Sequence, residues 1–270
     1  DGLGAARVTA RREALLLEQP RAALLLLVNY RSPPLEDQRV RRALMLGINR
    51  TALGQTFFGS QAAAEVRGLA PANIAGYRPP QPGWTGQPFV GRQEDARRLL
   101  AEAGIDSLVE PLVLTVAITD SDAEARLIEL VARDYAAIGV TLRLERRDPA
   151  AHRRAIAEGS FDLALIRRET PIDSPLPFLN PFQCTRNRHG VCLPEADRLL
   201  ADSWKAPTRS ERLATLAAAE RLWAEDGAAI GLVQPLGWSL VSRRVGGFAA
   251  NPSGSHALRH LVLEQRRRLP

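Results

Sequence analysis

Apolar residues recur along the chain with two different periods, and their alternation predicts an α/β fold. Short apolar and β-branched runs predict strands at 14–18, 22–30, 111–119, 140–145, 161–166, 229–233, 238–242 and 261–263. Apolar positions three or four residues apart predict helices at 37–50, 51–58, 93–103, 121–138, 150–158, 194–204 and 208–226. Because strands alternate with helices and no internal repeat is visible, we expect a mixed sheet flanked by helices.

Several of the predicted helices carry recognisable start signals. Asp37 stands where an N-cap acid belongs, ahead of the first long helix. Ser121-x-x-Glu124 and Thr208-x-x-Glu211 have the spacing of capping boxes at the two longest helices. Glycine is expected to end four helices, at Gly59, Gly104, Gly139 and Gly159.

Three local features complete the secondary-structure prediction. The first two strands are joined around Gln19-Pro20 and are predicted to form a hairpin. Residues 68–92 contain five prolines, which predicts an irregular excursion instead of a packed element. In the helix that follows, Glu94 and Arg98 are spaced for an i,i+4 ion pair.

The composition is that of an ordinary globular protein, with 270 residues, 45% of them hydrophobic and 24% charged. The longest apolar run, 22–28, is too short to cross a bilayer and suits a buried strand. The net charge is +6, but Lys205 is the only lysine and the arginines are scattered among acids. We therefore expect no nucleic-acid partner.

The stretch 161–192 is the candidate functional segment. A buried strand beginning at Phe161 changes abruptly into charged and proline-rich sequence. Loops at the end of a buried strand are where α/β proteins usually hold ligands. A solvated connection between strand and helix is an equally good interpretation. The ligand-binding candidates are Arg167, Arg168, Glu169, Thr170 and Asp173.

Cys184 and Cys192, the only cysteines, enclose seven residues of this segment. Three interpretations compete: a disulfide, two unbonded thiols, or a metal site that also uses His189. A structural metal site requires four nitrogen or sulfur ligands, and only three candidates cluster here. The disulfide is favoured, and it would indicate an oxidising compartment.

The sequence carries no recognisable enzymatic signature. Gly-x-Ser-x-Gly, P-loop, His-Glu-x-x-His and Gly-x-Gly-x-x-Gly motifs are absent. The four histidines lack ligand spacing, and Ser255-His256 is the best fragment of a catalytic triad. We expect no enzymatic activity, no catalytic residues, no bound metal and no cofactor.

Six short motifs follow one another in an order known from one protein family. The longest is Asn29-x-x-Ser-Pro-Pro-Leu-Glu-Asp-x-Arg-Val-Arg-x-Ala-Leu-x-x-Gly-Ile-Asn-Arg, at 29–50. The others are Glu94-Asp-Ala-Arg-Arg-Leu-Leu-Ala-Glu-Ala-Gly, Ala137-Ile-Gly-Val, Gly159-Ser-Phe-Asp-Leu-Ala-Leu, Leu193-Pro-Glu-Ala-Asp-Arg-Leu-Leu and Leu240-Val-Ser-Arg-Arg-Val-Gly-Gly-Phe. Together they resemble the family 5 (oligopeptide/dipeptide-type) extracellular solute-binding proteins of bacterial ABC importers.

The resemblance implies a class II periplasmic-binding-protein-like fold, with this chain as its second, C-terminal lobe. Entry strands from the first lobe are expected at 1–30, the second lobe at 31–235, and terminal strands returning toward the first lobe at 236–270. Because the chain starts at Asp1 and Met45 is its only methionine, we expect a processed protein or a piece of a longer one.

The implied function is capture of a peptide or other small solute, including an anionic one, between two lobes. The expected partner is a membrane permease of the ABC type. The implied location is the periplasm, or the cell exterior with a membrane anchor, and the expected state is a monomer. Cysteines flanking the same loop also occur in some family members. The alternative is a ligand-sensing domain of a transcriptional regulator, because some regulators carry the same fold.

The candidate segment departs from the family pattern at two positions. In peptide-binding members, the loop after this strand carries a Trp and, three residues later, an Asp that pairs with the peptide amine. The corresponding positions here are Arg168 and Pro171, neither of which suits an ammonium group. Either Asp173 or Glu169 replaces the acid, or Arg167 and Arg168 receive a carboxylate, phosphate or sulfonate. A further alternative is that both arginines face solvent.

Overall fold

The computed structural model describes residues 13–58, 65–105, 110–253 and 258–263. Its strands are β1 (Glu13–Glu18), β2 (Ala22–Val28), β3 (Leu112–Thr119), β4 (Val140–Arg147), β5 (Leu163–Glu169), β6 (Ala229–Val233), β7 (Gly237–Ser242), β8 (Val245–Gly246) and β9 (Val262–Leu263). Its α-helices are α1 (Pro33–Glu36), α2 (Gln38–Leu46), α3 (Arg50–Phe58), α4 (Phe89–Glu102), α5 (Asp122–Ala136), α6 (Pro149–Glu158), α7 (Leu176–Leu179), α8 (Pro194–Asp202) and α9 (Arg209–Asp226). The predicted triad fragment, Ser255-His256, and the predicted helix end at Gly59 lie outside the described residues.

A five-stranded mixed sheet is the centre of the fold, in the order β4-β3-β5-β2-β6. Strand β3 runs parallel to β4 and β5, whereas β2 runs antiparallel to β5 and β6. The predicted α/β class with a mixed sheet flanked by helices is therefore confirmed.

The predicted hairpin of the first two strands is wrong. Strand β1 pairs with β7 in a separate two-stranded sheet, and β2 enters the five-stranded sheet between β5 and β6. All seven residues of β2 are buried, because the sheet is covered on both faces. A continuous apolar run suits such a central strand better than one half of an exposed hairpin.

Each face of the sheet carries its own hydrophobic core, and β2 supplies both. Leu24, Leu26 and Val28 point into the core formed with α2, α4 and α5. Alternate residues of β2 point into the opposite core, which includes Trp223 of α9 and Phe182. The period-two alternation of a strand thus divides one apolar run between two layers.

The helix start signals are confirmed in full at Asp37 and Thr208, and at Ser121 for the N-cap itself. Asp37 caps α2 by accepting a hydrogen bond from the Arg39 N–H at 2.8 Å. Thr208 and Glu211 form both halves of the predicted box at α9. Gly159 ends α6 with a φ of 71°, in the left-handed region that favours glycine.

One prediction of local side-chain pairing is half confirmed, and another is wrong. Ser121 accepts from the Glu124 N–H, but the Glu124 carboxylate accepts from the Thr119 N–H at 2.8 Å, so the box at α5 has one half only. Arg98 pairs with Asp95 at 2.6 Å and not with the predicted acid. Residues three apart are neighbours on a helix as much as residues four apart, so the sequence could not decide between the two acids.

The proline-rich segment is irregular, as predicted, but it is packed. Leu69, Ile74 and Tyr77 are buried in the core on the α9 side of the sheet. The segment also ends earlier than predicted, because α4 already begins at Phe89. Helices long and apolar enough to cross a membrane do not occur among the described residues.

Candidate functional site

Strand β5 is longer than predicted and contains three of the five candidate residues. Arg167, Arg168 and Glu169 were expected in the loop, yet they pair with Leu24, Ala23 and Ala22 of β2. The expectation was wrong because β2 continues beside these residues, and backbone hydrogen bonds between neighbouring strands form whatever the polarity of the side chains. The loop itself therefore starts at Thr170.

Arg167 and Glu169 project from the same face of β5 and bind each other. The Arg167 Nη2 to Glu169 Oε2 distance is 2.7 Å, and the Nε of the same guanidinium donates to that oxygen at 2.9 Å. Both side chains are more than 40% exposed. An exposed pair of this kind contributes little to stability, and each charge is already neutralised by the other.

Asp173 is engaged by three different segments of the chain. Its Oδ1 accepts from the Arg21 Nε at 3.1 Å and from the Ala75 N–H at 3.0 Å, and its Oδ2 accepts from the Arg209 Nη2 at 3.2 Å. The Ala75 N–H and the two guanidinium groups lower the pKa of this carboxyl. Asp173 therefore fastens the loop to the start of β2, to the proline-rich segment and to the start of α9.

Thr170 is buried and closes the turn that follows β5. Its N–H donates to the Arg21 carbonyl at 3.0 Å, and its Oγ1 accepts from the Ile172 N–H at 3.1 Å. Sequence reasoning missed Arg21, which holds both Thr170 and Asp173. The available signal was a charged residue between Pro20 and a fully apolar strand.

Arg168 differs from the other four candidates because its side chain has no polar partner. It is partly buried on the face of β5 opposite to Arg167 and Glu169. Of its three guanidinium nitrogens, only Nε is fully enclosed, and it lacks a hydrogen bond. Burial lowers the pKa of Arg168.

His189, which lies in the loop enclosed by the two cysteines, has a pKa that depends on its burial and on the Arg168 charge. His189 is buried, with its ring centroid 6.1 Å from that of Phe161 and 6.4 Å from that of Phe182. Burial, followed by the Arg168 charge, lowers the pKa of His189 to about 4. His189 is therefore a neutral core residue at physiological pH.

The predicted bond between Cys184 and Cys192 is confirmed. The Asn187 side chain braces the enclosed loop by donating to the Val191 carbonyl at 2.9 Å. The disulfide uses both sulfur atoms that the alternative metal site with His189 would need.

The edge of the sheet at the end of β5 also carries the chain connections to the β1–β7 sheet. Gln234, directly after β6, donates from Nε2 to the Pro20 carbonyl at 2.9 Å. The Arg21 N–H donates to the Pro252 carbonyl at 3.0 Å. The loop after β5, the entry to β2 and the exit from β6 thus lie together, and we call this region the ligand edge. A cavity of about 440 Å³ lined by α2, Trp84 and Asp95 is separate from the residues named here.

Residues 11–190, more than half of the chain, match the family described as bacterial extracellular solute-binding proteins, family 5, middle region. The periplasmic oligopeptide-binding protein OppA of Escherichia coli K12 is 28% identical over 224 residues, which cover 82% of this chain and 41% of that protein. The probable di/tripeptide-binding protein 5 of Pseudomonas aeruginosa UCBPP-PA14 is 28% identical over 260 residues, covering 91% and 47%. The solved structure of Burkholderia pseudomallei OppA superposes with a TM-score of 0.84 at 25% identity, over 98% of this chain and 53% of that one.

The mixed sheet flanked by helices and the superposition on a solved OppA structure define the class, a periplasmic-binding-protein-like fold. The family match makes the assignment specific: the chain belongs to the bacterial extracellular solute-binding proteins, family 5. The predicted family and fold class are confirmed. The chain spans about half the length of the curated relatives it matches, 41% and 47% in the two cases above.

Proposed function

We propose that this chain is the second lobe of the substrate-binding component of an ABC importer. The whole protein would capture a peptide or a related small solute between two lobes and deliver it to a membrane permease. Family membership supports this proposal, as do relatives whose names describe oligopeptide and di/tripeptide binding. The disulfide fits a periplasmic or extracellular location, because such bonds persist in oxidising compartments.

The β1–β7 sheet is the observation that carries the proposal. Leu15 pairs with Leu240 and Leu17 with Trp238, so these four apolar side chains project from one face of a two-stranded sheet. Trp238 is 42% exposed and Leu240 is 37% exposed. An exposed apolar face of this kind is expected to pack against another apolar surface. We propose that the first lobe, which would correspond to the portion of the relatives that this chain does not span, provides it.

The sheet to which each strand belongs decides where we place the boundary between the two lobes. Strand β2 lies in the five-stranded sheet, so we place the lobe boundary at Pro20, earlier than the expected end of the entry strands at residue 30. The stretch from 236 onward keeps its proposed role of returning to the first lobe. The first lobe would then sit over the ligand edge, and closure of the two lobes of a monomer would enclose the solute.

The experiment compares this chain with the whole protein that contains it. Each is mixed with a pool of di- to pentapeptides free of Asp and Glu, and bound species are read by native mass spectrometry and by thermal shift. We expect peptides to bind and stabilise the whole protein, and small-angle scattering to show compaction. The chain alone should bind at least about 100-fold more weakly, since a closing ligand contacts both lobes. Absence of peptide binding by the whole protein would refute the proposed function.

A further inference from the structure

We infer that Arg168 is a specificity-determining residue that receives a carboxylate of the bound solute at the ligand edge. This inference rests on the proposed function, and it names the chemistry that this lobe selects. Where the family pattern has an acidic side chain that pairs with the amine of the solute, this lobe would present a guanidinium that pairs with a carboxylate of the solute.

The state of the Arg168 side chain is the first argument. Other buried arginines of the described chain are used by the fold: Arg50 donates to the Gly231 carbonyl at 2.7 Å, and Arg41 binds Asp226 at 3.0 Å. Arg212 is partly buried and stacks on Trp204, with its Cζ 5.6 Å from the ring centroid. Within the described ranges, Arg168 is the one partly buried arginine with neither a hydrogen bond, nor an ion pair, nor a stacked ring.

An unpartnered guanidinium is unfavourable for the isolated lobe. Partial burial removes water from the charge and lowers the pKa of Arg168, and among the described residues no carboxylate pairs with it to offset this cost. A charge kept under these conditions is one that a ligand can neutralise. The planar guanidinium offers parallel N–H donors that match the two oxygens of a carboxylate.

The acids around Arg168 point to the same ligand chemistry. Glu169 is held by Arg167, Asp173 is held by Arg21 and Arg209, and both acids are therefore neutralised within the fold. The charge balance of this part of the ligand edge is positive. A solute amine would meet repulsion here, whereas a carboxylate would meet its missing partner.

The test uses the whole two-lobed protein and matched peptides. Ala-Ala-Ala, its C-terminal amide and its N-acetyl derivative are compared by calorimetry, alongside native mass spectrometry of an Asp- and Glu-free pool of di- to pentapeptides as free acids and as amides. We expect amidation to weaken binding at least about tenfold, the scale of a charge-assisted hydrogen bond, and N-acetylation to have a much smaller effect.

Three variants assign the effect to the side chain. Arg168→Gln should weaken binding of the free acids by the same factor and abolish the preference for acid over amide. Arg168→Lys should restore part of it, because it keeps the charge without the planar fork. Arg133→Gln removes an exposed arginine in the last turn of α5, and it should leave both affinities unchanged. Thermal unfolding of each variant shows that it is folded.

The outcomes separate the inference from the proposed function. If peptides bind but acids and amides bind equally, or if Arg168→Gln binds acids as the wild type does, the inference is overturned and the proposed function stands. If the folded whole protein binds peptides in neither form, both are overturned.

Discussion

Glu220 is a fully buried carboxyl whose removal has a calculable cost. It lies on α9 with its side chain in the core, and it accepts from the Leu69 N–H at 2.6 Å and the Ala70 N–H at 3.0 Å. The Tyr77 hydroxyl donates to its other oxygen. These three donors belong to the proline-rich segment, which has no regular secondary structure of its own at these positions. The side chain of Glu220 therefore holds the proline-rich segment in place, where a β-strand would be held by backbone hydrogen bonds to the sheet.

Two substitutions separate the hydrogen bonds of Glu220 from its charge. Glu220→Leu leaves three buried donors without an acceptor. At about 1–3 kcal/mol per donor, the free energy of unfolding should fall by about 3 kcal/mol or more. Glu220→Gln keeps an acceptor for the two backbone N–H groups and should change stability by less than about 1 kcal/mol at low pH. Glu225→Gln, on an exposed residue of the same helix, is the control and should have little effect.

The sign of the pH dependence follows from burial. Burial raises the pKa of Glu220, and the hydrogen bonds from Tyr77 and the two backbone N–H groups oppose the shift without cancelling it. The folded state thus holds the proton more tightly than the unfolded chain. The associated stability is present below the ordinary glutamate pKa of about 4.3. It is lost as the pH rises through the raised value.

Urea unfolding of wild type and Glu220→Gln from pH 4 to pH 8 measures this term. The variant should gain on the wild type as the pH rises, with a slope of at most about 1.4 kcal/mol per pH unit. Taking the difference between the two proteins removes the contributions of all other groups. A flat difference, or one of opposite slope, would refute the assignment of a raised pKa to this carboxyl.

Two further predictions concern packing and the disulfide. A Cβ at Gly231 would lie 2.4 Å from the carbonyl oxygens of both Val66 and Gly68, so Gly231→Ala should lower the free energy of unfolding by about 1–3 kcal/mol or more. Gly91→Ala in α4, where a Cβ meets only the Gln87 side chain at 3.5 Å, is the matched control and should be neutral or stabilising; equal effects would contradict the clash. Replacing both Cys184 and Cys192 with Ser should cost about 2.5 kcal/mol in urea unfolding, the loop-closure value for a separation of 8 residues. An unchanged midpoint would show that the loop is held by its hydrogen bonds alone.

Sequence reasoning succeeded where the determinants are local. Helix periods and caps depend on residues a few positions apart, so Asp37 and the Thr208–Glu211 box could be placed in advance. The pairing of Cys184 with Cys192 was accessible for the same reason, because the two residues are separated by 8 positions. The α/β class required only the order of the elements.

Apart from the two helical side-chain pairings, the errors concern contacts between residues far apart in sequence. The partner of β1 is β7, more than 200 residues away, and composition cannot distinguish that partner from an adjacent strand. The polar end of β5 remains a strand because β2 is available beside it. Asp173 looked free for a ligand because Arg21, Ala75 and Arg209 come from three distant segments. Such engagement is visible only in three dimensions.

The same contrast explains why the family is easier to recognise than the ligand. The motif at 29–50 serves the fold: the Asn29 Nδ2 donates to the Phe161 carbonyl at 2.6 Å, Arg41 binds Asp226, and Arg50 is buried against Gly231. These contacts hold the sheet and its helices together and involve no solute. Arg168 makes no such contact, and at this position the chain departs from the peptide-binding pattern that the family resemblance implies. Under our proposal that Arg168 contacts the solute, ligand specificity would change at this strand end while the motif that identifies the family stays intact.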